Sequence, residues 1–148
     1  MQQASIVSPE DSSQLFQHLQ EVFAGAEVTQ LNEASYFIRK RVGWFRKVSL
    51  ELQVRSLQID EAFVAMMQQM RDFVADLPAE NRIRQQALLA EIDASQTALA
   101  CISTDLTSFE DQLFELTSRL VGFIFIDRIT WYDGNRRLLL DNLGRSGL

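Results

Sequence analysis

Few side chains in this sequence have the type and spacing that catalysis or metal binding requires. His18 is the only histidine, so a Ser-His-Asp relay or a histidine-based metal site would have one residue to build on. We interpret His18 as a histidine at the edge of the core, near the carboxylate of Glu21. Cys101 is the only cysteine, and no histidine or lysine lies near it in the sequence to lower the pKa of its thiol. We therefore expect an unreactive thiol.

Carboxylates four residues apart are the remaining candidates for chemistry. Asp72 with Asp76, and Asp111 with Glu115, would each share one face of a helix. In an acidic chain such pairs are most often a solvated surface, so we assign them no metal. The sequence also lacks a Glu-x-x-His pair, a glycine-rich phosphate loop and a Gly-x-Ser-x-Gly motif. It therefore predicts no catalytic residue, no cofactor and no metal, and a protein that is not an enzyme.

The segment 36–48 differs from the rest of the chain because its charge has one sign. It holds five basic residues and no acidic one. The whole chain has a net charge of −6, so the remainder carries −11 once these five charges are subtracted. Helical projection of the segment predicts a basic amphipathic helix. The side chains that we expect to contact a partner are Arg39, Lys40, Trp44, Arg46 and Lys47.

Such a basic surface would suit a protein partner or an anionic membrane surface. Nucleic acid is the least favoured partner, because the negative charge of the whole chain repels a polyanion. A simpler interpretation is that these charges pair with acidic side chains of neighbouring helices.

Composition and length indicate one folded domain. The 148 residues are 47% hydrophobic and 23% charged, which argues against intrinsic disorder. The longest apolar run, 120–126, is much shorter than the roughly 20 residues of a membrane-spanning helix. Residues 1–7 form neither a basic nor an apolar leader, and a lone cysteine is typical of a reducing compartment. We therefore expect a cytoplasmic protein.

Apolar residues recur at helical spacing along most of the chain. Ser8 and Pro9 have the character of a helix start, and the first predicted helix covers about 9–24. A column of apolar residues at every seventh position predicts a second helix over about 29–77. The column consists of Leu31, Ile38, Phe45, Leu52, Ile59, Met66 and Phe73.

A third helix is predicted over about 79–130, because two columns there are spaced four and three residues apart, as in a coiled coil. They contain Ile92, Leu99, Leu106, Leu113 and Leu120, and Leu88, Ser95, Ile102, Phe109, Leu116 and Phe123. Pro78 would give a tight connection that makes helices 2 and 3 antiparallel. We thus predict an all-α fold for the single domain 1–148. It is a helical bundle built from a long, coiled-coil-like antiparallel hairpin, with the first helix packed at its open end and a tail over 134–148.

Two stretches also fit strands. In 48–54 apolar and polar residues alternate strictly, and within 123–140 the Asp133-Gly134 pair is typical of a hairpin turn. We favour helices because the seven-residue column runs unbroken through the first stretch. Gly43 and Gly122 would lie inside helices, where a glycine costs about 1 kcal/mol, so we expect a kink or a close approach at each.

The predicted hairpin indicates a non-enzymatic interaction or adaptor protein that acts through protein–protein contacts and self-association. A second apolar stripe on helix 2 has nothing in the chain to cover it, which predicts a homodimer. Its interface residues would be Leu50, Val54, Leu57 and Val64. Two alternatives remain: a peripheral membrane-surface binder that uses 36–48, and a small-molecule binder or enzyme with a site in the aromatic cluster 120–132.

Overall fold

The chain folds as a mixed α/β protein, so the predicted all-α helical hairpin is wrong. The computed structural model describes residues 2–57, 60–126 and 130–140, and these contain eight strands, four α-helices and one 3-10 helix. The elements are β1 (Gln2–Ser8), α1 (Leu15–Val22), β2 (Glu27–Asn32), β3 (Ser35–Val42), β4 (Arg46–Ser56), α2 (Glu61–Ala75), α3 (Ala79–Asp93), β5 (Thr97–Ser103), the 3-10 helix (Leu106–Phe109), α4 (Glu110–Arg119), β6 (Phe123–Ile126), β7 (Thr130–Asp133) and β8 (Leu138–Leu140). Ile59 of the predicted column and residues 141–148 of the predicted tail lie outside the described residues.

The strands form one antiparallel sheet in the order β2-β3-β4-β5-β1-β6-β7-β8. β1 lies inside the sheet and pairs with β5 on one side and with β6 on the other. The consecutive strands β2, β3 and β4 form a meander, and β6, β7 and β8 form another. Because β5 and β1 join the two meanders, the sheet depends on pairing between residues that are far apart in sequence.

Helices cover both faces of this sheet. Ile6 of β1 belongs to a core cluster with α1 and α4, whereas the next residue, Val7, belongs to a second cluster with α2 and α3. Successive residues of a strand point to opposite faces. The sheet therefore has an α1/α4 face and an α2/α3 face, and the architecture has three layers.

The first helix is shorter than predicted. α1 begins after the expected start because Ser8 ends β1, and its hydroxyl donates a hydrogen bond to the carbonyl of Leu120 (2.7 Å) instead of capping a helix. Asp11 accepts hydrogen bonds from the backbone N–H and the hydroxyl of Ser13, which forms a turn before α1.

Three strands and α2 replace the predicted second helix. Members of the seven-residue column do not share one surface, because Ile38 and Leu52 are buried in the core whereas Leu31 and Phe45 are exposed. Ile38 and Leu52 are both buried because they lie on the same face of paired strands, β3 and β4. The alternative of a strand over 48–54 is correct, since β4 covers that range.

The third predicted helix is also divided among several elements. Ile92, Leu99, Leu106, Leu113 and Leu120 are all buried, but they belong to α3, β5, the 3-10 helix, α4 and the turn after α4. The stop and start predicted near Pro78 are confirmed, because α2 ends and α3 begins on either side of it. The alternative of a hairpin within 123–140 is correct in part, since β7 and β8 pair across a turn that contains Gly134.

The two glycines singled out in the sequence have different roles. Gly122 lies against the backbone carbonyl of Val7 and leaves no room for a Cβ atom, so the predicted close approach is confirmed. Gly43 lies in the turn between β3 and β4 with a φ of +69°, a conformation that favours glycine. It belongs to a strand turn rather than to a helix kink.

Candidate functional site

The basic segment forms a hairpin that projects from the sheet. β3 and β4 are paired up to Val42 and Arg46, whereas β2 pairs only as far as Arg39 and β5 only as far as Glu51. The three residue pairs nearest the turn therefore have no neighbour among the described strands. At about 3.4 Å per residue they extend about 10 Å past the sheet. We name residues 40–48 the β3–β4 arm.

Two large aromatic side chains form the tip of the β3–β4 arm. Gly43, Trp44 and Phe45 make the turn, and Gly43 adopts a positive φ that favours glycine. Trp44 and Phe45 are 88% and 97% exposed. Large apolar side chains left at a convex point of a folded protein mark a contact site.

Strand alternation divides the basic residues between the two sides of the hairpin. Arg39, Arg41 and Lys47 lie on the α2/α3 face and are exposed. Lys40 points to the opposite face, so the predicted helical surface with Arg39 and Lys40 side by side is wrong. Arg41 and Lys47 are directly opposite each other in the ladder. Like charges at this spacing destabilise a hairpin, which makes the pair a candidate for an anionic partner.

Lys40 contacts the layer of helices rather than solvent. Its ammonium donates hydrogen bonds to the carbonyl of Ser108 and to Oε1 of Gln112 (2.9 Å), and it lies 4.6 Å from the ring centroid of Phe109. Desolvation lowers the pKa of Lys40, and nearby aspartates partly oppose this shift. Lys40 therefore holds the β3–β4 arm against the 3-10 helix and α4.

Arg46 also has a partner within the chain. Its guanidinium lies 2.5 Å from the carboxylate of Asp105, which in turn accepts hydrogen bonds from the hydroxyl and the backbone N–H of Ser108. The hydrogen bond from the Ser108 hydroxyl is the main reason that the pKa of Asp105 is lowered. Of the predicted contact residues, Lys40 and Arg46 thus have partners within the chain, Trp44 and Lys47 are exposed on the β3–β4 arm, and Arg39 is exposed beside it, where β3 still pairs with β2.

The residues predicted for a homodimer interface do not share one surface. Leu50 and Leu57 are buried in different core clusters. Val54 is half-buried against the first cluster, and Val64 lies on α2 and is 57% exposed. The argument for a stripe on one continuous helix is therefore wrong. Self-association itself stays a prediction.

The residues considered for catalysis are distributed over α1, β5 and α4. Cys101 is buried in β5, and desolvation raises the pKa of its thiol to about 12. His18 is half-buried on α1, and Asp111 and Glu115 each pair with an arginine. Within the described residues, no three His, Cys, Asp or Glu side chains are grouped to hold a metal ion.

The aromatic cluster 120–132 is divided between the two faces of the sheet. Phe125 and Trp131 stack with ring centroids 4.8 Å apart and line a cleft between α2 and the sheet. Tyr132 instead packs edge-on against Phe114 of α4. Residues 127–129 of the cluster lie outside the described residues. The cleft is the second candidate site. The only feature of the sequence that indicated a small-molecule site here was the aromatic-rich stretch 120–132.

In the described ranges, no helix combines the length and the apolar character needed to cross a membrane. Comparison of the chain with protein-family models, with curated proteins and with solved structures finds no match.

Proposed function

We propose that this protein is a non-enzymatic peripheral binder of anionic membrane surfaces, and that it docks through the tip of the β3–β4 arm. The observation that carries the proposal is the exposure of Trp44 and Phe45 at the end of a projecting basic hairpin. Tryptophan favours the membrane–water interface because its ring is apolar and its N–H is polar. The cytoplasmic location expected from the sequence agrees with this, since the cytoplasmic leaflet carries anionic lipids.

The shape of the tip favours lipid over a protein groove. An aromatic side chain buries about 150–250 Å², so two of them offer about 500 Å² at most. A stable protein–protein interface needs roughly 800 Å² from each partner. Lipid headgroups can close around a convex tip without a matching cavity. Because Lys40 and Val48 pack against the layer that contains α4, insertion would be confined to the turn residues Trp44 and Phe45.

The charge distribution favours an orientation in which the β3–β4 arm faces the membrane. Arg39, Arg41 and Lys47 lie along one face of the hairpin, and anionic headgroups would relieve the repulsion between the directly opposed Arg41 and Lys47. The rest of the chain is strongly acidic. An anionic surface would therefore attract the arm and repel the body behind it.

Co-sedimentation with lipid vesicles tests the proposal. The unmodified protein should pellet with vesicles of phosphatidylcholine and phosphatidylserine, and stay in solution with phosphatidylcholine alone. Trp44→Ala combined with Phe45→Ala should abolish pelleting, because the inserted apolar surface is lost. Arg39→Gln, Arg41→Gln and Lys47→Gln together should weaken binding roughly 100-fold, at about 1 kcal/mol for each charge.

Matched controls remove the same kinds of side chain elsewhere. Ile83→Ala removes an apolar side chain that is 71% exposed on α3, and Arg82→Gln removes a positive charge outside the arm. Neither change should affect binding. Failure of the unmodified protein to pellet with anionic vesicles at low salt would refute the proposal. Unchanged pelleting of the Trp44/Phe45 double variant would do the same, and an acidic protein would then be the better partner for the arm.

A further inference from the structure

The cleft between α2 and the sheet is built from residues outside the β3–β4 arm. Its volume is about 650 Å³, within the range of about 300–1,000 Å³ that is typical of small-molecule sites. Five adjacent strands, from β4 to β7 in the sheet order, contribute to its floor, and the start of α2 forms the opposite wall. The small side chains of Ser5 and Ala98 on the floor leave this space open.

Apolar side chains form a continuous part of the cleft lining, and Gln3, Ser5 and Arg55 are its polar side chains. Val7 of β1 contributes to the floor, and Phe63 and Met66 of α2 contribute to the wall. The stacked rings of Phe125 and Trp131 lie at the end formed by β6 and β7. Hydrocarbon is the chemistry that such a lining accepts.

Arg55 lies at the other end, on β4, and is the only charged side chain among the described residues that line the cleft. Its side chain is 51% exposed and lies 3.5 Å from the carboxylate of Asp60. Asp60 also caps α2, because it accepts a hydrogen bond from the backbone N–H of Phe63 (3.0 Å). Arg55 is therefore held beside the cleft by the cap of α2. A guanidinium has five N–H donors, so it can bind a carboxylate while it keeps this ion pair.

The separation of the two ends favours an elongated ligand. Arg55 and Trp131 lie on strands with three others between them. At about 4.8 Å for each strand spacing, their backbones are about 19 Å apart. A compact ring acid cannot contact both ends, whereas an extended acyl chain can.

We propose that this cleft binds a long-chain fatty acid. The carboxylate lies at Arg55, and the acyl chain runs past Val7, Phe63 and Met66 toward Phe125. The proposal does not depend on membrane attachment, because the arm contributes no residue to the cleft.

Tryptophan emission can report on the cleft alone. The chain has two tryptophans, so Trp44→Phe leaves Trp131 as the only one. In this variant and without vesicles, palmitate below its aggregation concentration should change the emission saturably. Hexadecanol has the same chain length and no carboxylate, so it should bind at least about tenfold more weakly. Octanoate cannot span the cleft and should also bind more weakly.

Substitutions in the Trp44→Phe variant test the role of Arg55 and the location of the ligand in the cleft. Arg55→Gln should weaken palmitate binding at least about tenfold, and Arg55→Lys should restore part of it. Arg39→Gln removes an exposed arginine from the same sheet face outside the cleft and should have no effect. Ala62→Phe should block the cleft, whereas Ala65→Phe, on the same helix but outside the lining, should not. Both alanines are exposed, so neither change should prevent folding.

Equal affinity for palmitate and hexadecanol would overturn the assignment of the carboxylate to Arg55. Unchanged palmitate binding in Ala62→Phe would overturn the assignment of the ligand to this cleft. Absence of binding by both emission and calorimetry would overturn the whole proposal. None of these outcomes bears on vesicle binding, which is measured separately on the β3–β4 arm.

Discussion

At the scale of single residues, Asp105 links the β3–β4 arm to the layer that contains α4. Its carboxylate accepts hydrogen bonds from Ser108 and pairs with Arg46, contacts that favour the charged form and lower its pKa below the ordinary value of 3.8. A carboxyl group whose pKa is lower in the folded state stabilises the fold above its unfolded pKa. This stabilisation is lost as the pH falls through the lower, folded pKa.

Asp105→Asn should therefore lower the urea midpoint of unfolding near neutral pH, and the difference from the unmodified protein should shrink as the pH falls below 3.8. Urea unfolding at a series of pH values measures this. Glu33→Gln, in the exposed turn between β2 and β3, is the control and should leave the midpoint unchanged near neutral pH. A midpoint difference that stays constant through the acid range would contradict the role of Asp105.

The composition of 36–48 was sufficient to identify it as a candidate contact segment, but not to assign roles to its residues. Arg39 and Lys40 are adjacent and chemically alike, and only the strand alternation separates their environments. The partners of Lys40, Ser108 and Gln112, lie far along the chain. Such contacts depend on tertiary structure, and no local pattern in the sequence encodes them.

At the scale of secondary-structure elements, burial was easier to predict than geometry. Leu99, Leu106 and Leu113 are seven residues apart and all buried, yet they lie in a strand, a 3-10 helix and an α-helix. Each of these consecutive short elements contributes one core residue. The lengths of the elements place these core residues seven positions apart, which is the spacing of a heptad repeat. The strict alternation in 48–54 was the better local signal, because it persists over one element and fits no helix. Gly43, predicted to lie inside a helix, instead lies in the turn that separates β3 from β4.

Gly122→Ala tests the contact between the start of β6 and β1. An added Cβ would collide with the backbone carbonyl of Val7, so the free energy of unfolding should fall by about 3 kcal/mol. Gly25→Ala is the control, since Gly25 has open space and only its positive φ opposes a side chain, at about 1 kcal/mol. Urea unfolding of both variants gives the comparison. Equal losses would mean that β6 does not approach β1 as closely as described.

At the scale of the whole molecule, charge is separated between the basic segment 36–48 and an acidic remainder of −11. The screening length is about 10 Å at 0.1 M salt and about 3 Å at 1 M. Vesicle-bound protein should therefore be released as sodium chloride rises through this range, as measured by sedimentation. The variant with Arg39, Arg41 and Lys47 changed to Gln should depend less steeply on salt. Binding that does not respond to salt would contradict attachment through charge.

The central position of β1 affects how the chain folds while it is being synthesised. Residues 2–8 are made before their partners, 97–103 and 123–126, whereas β2, β3 and β4 pair with one another. At about 5–20 residues per second, β1 waits for about 5–20 seconds before its first partner strand is complete. During that interval its apolar residues, Ala4, Ile6 and Val7, have no strand to pair with. A strand that is interior in the finished sheet is thus left open to association with other chains while the protein is being synthesised.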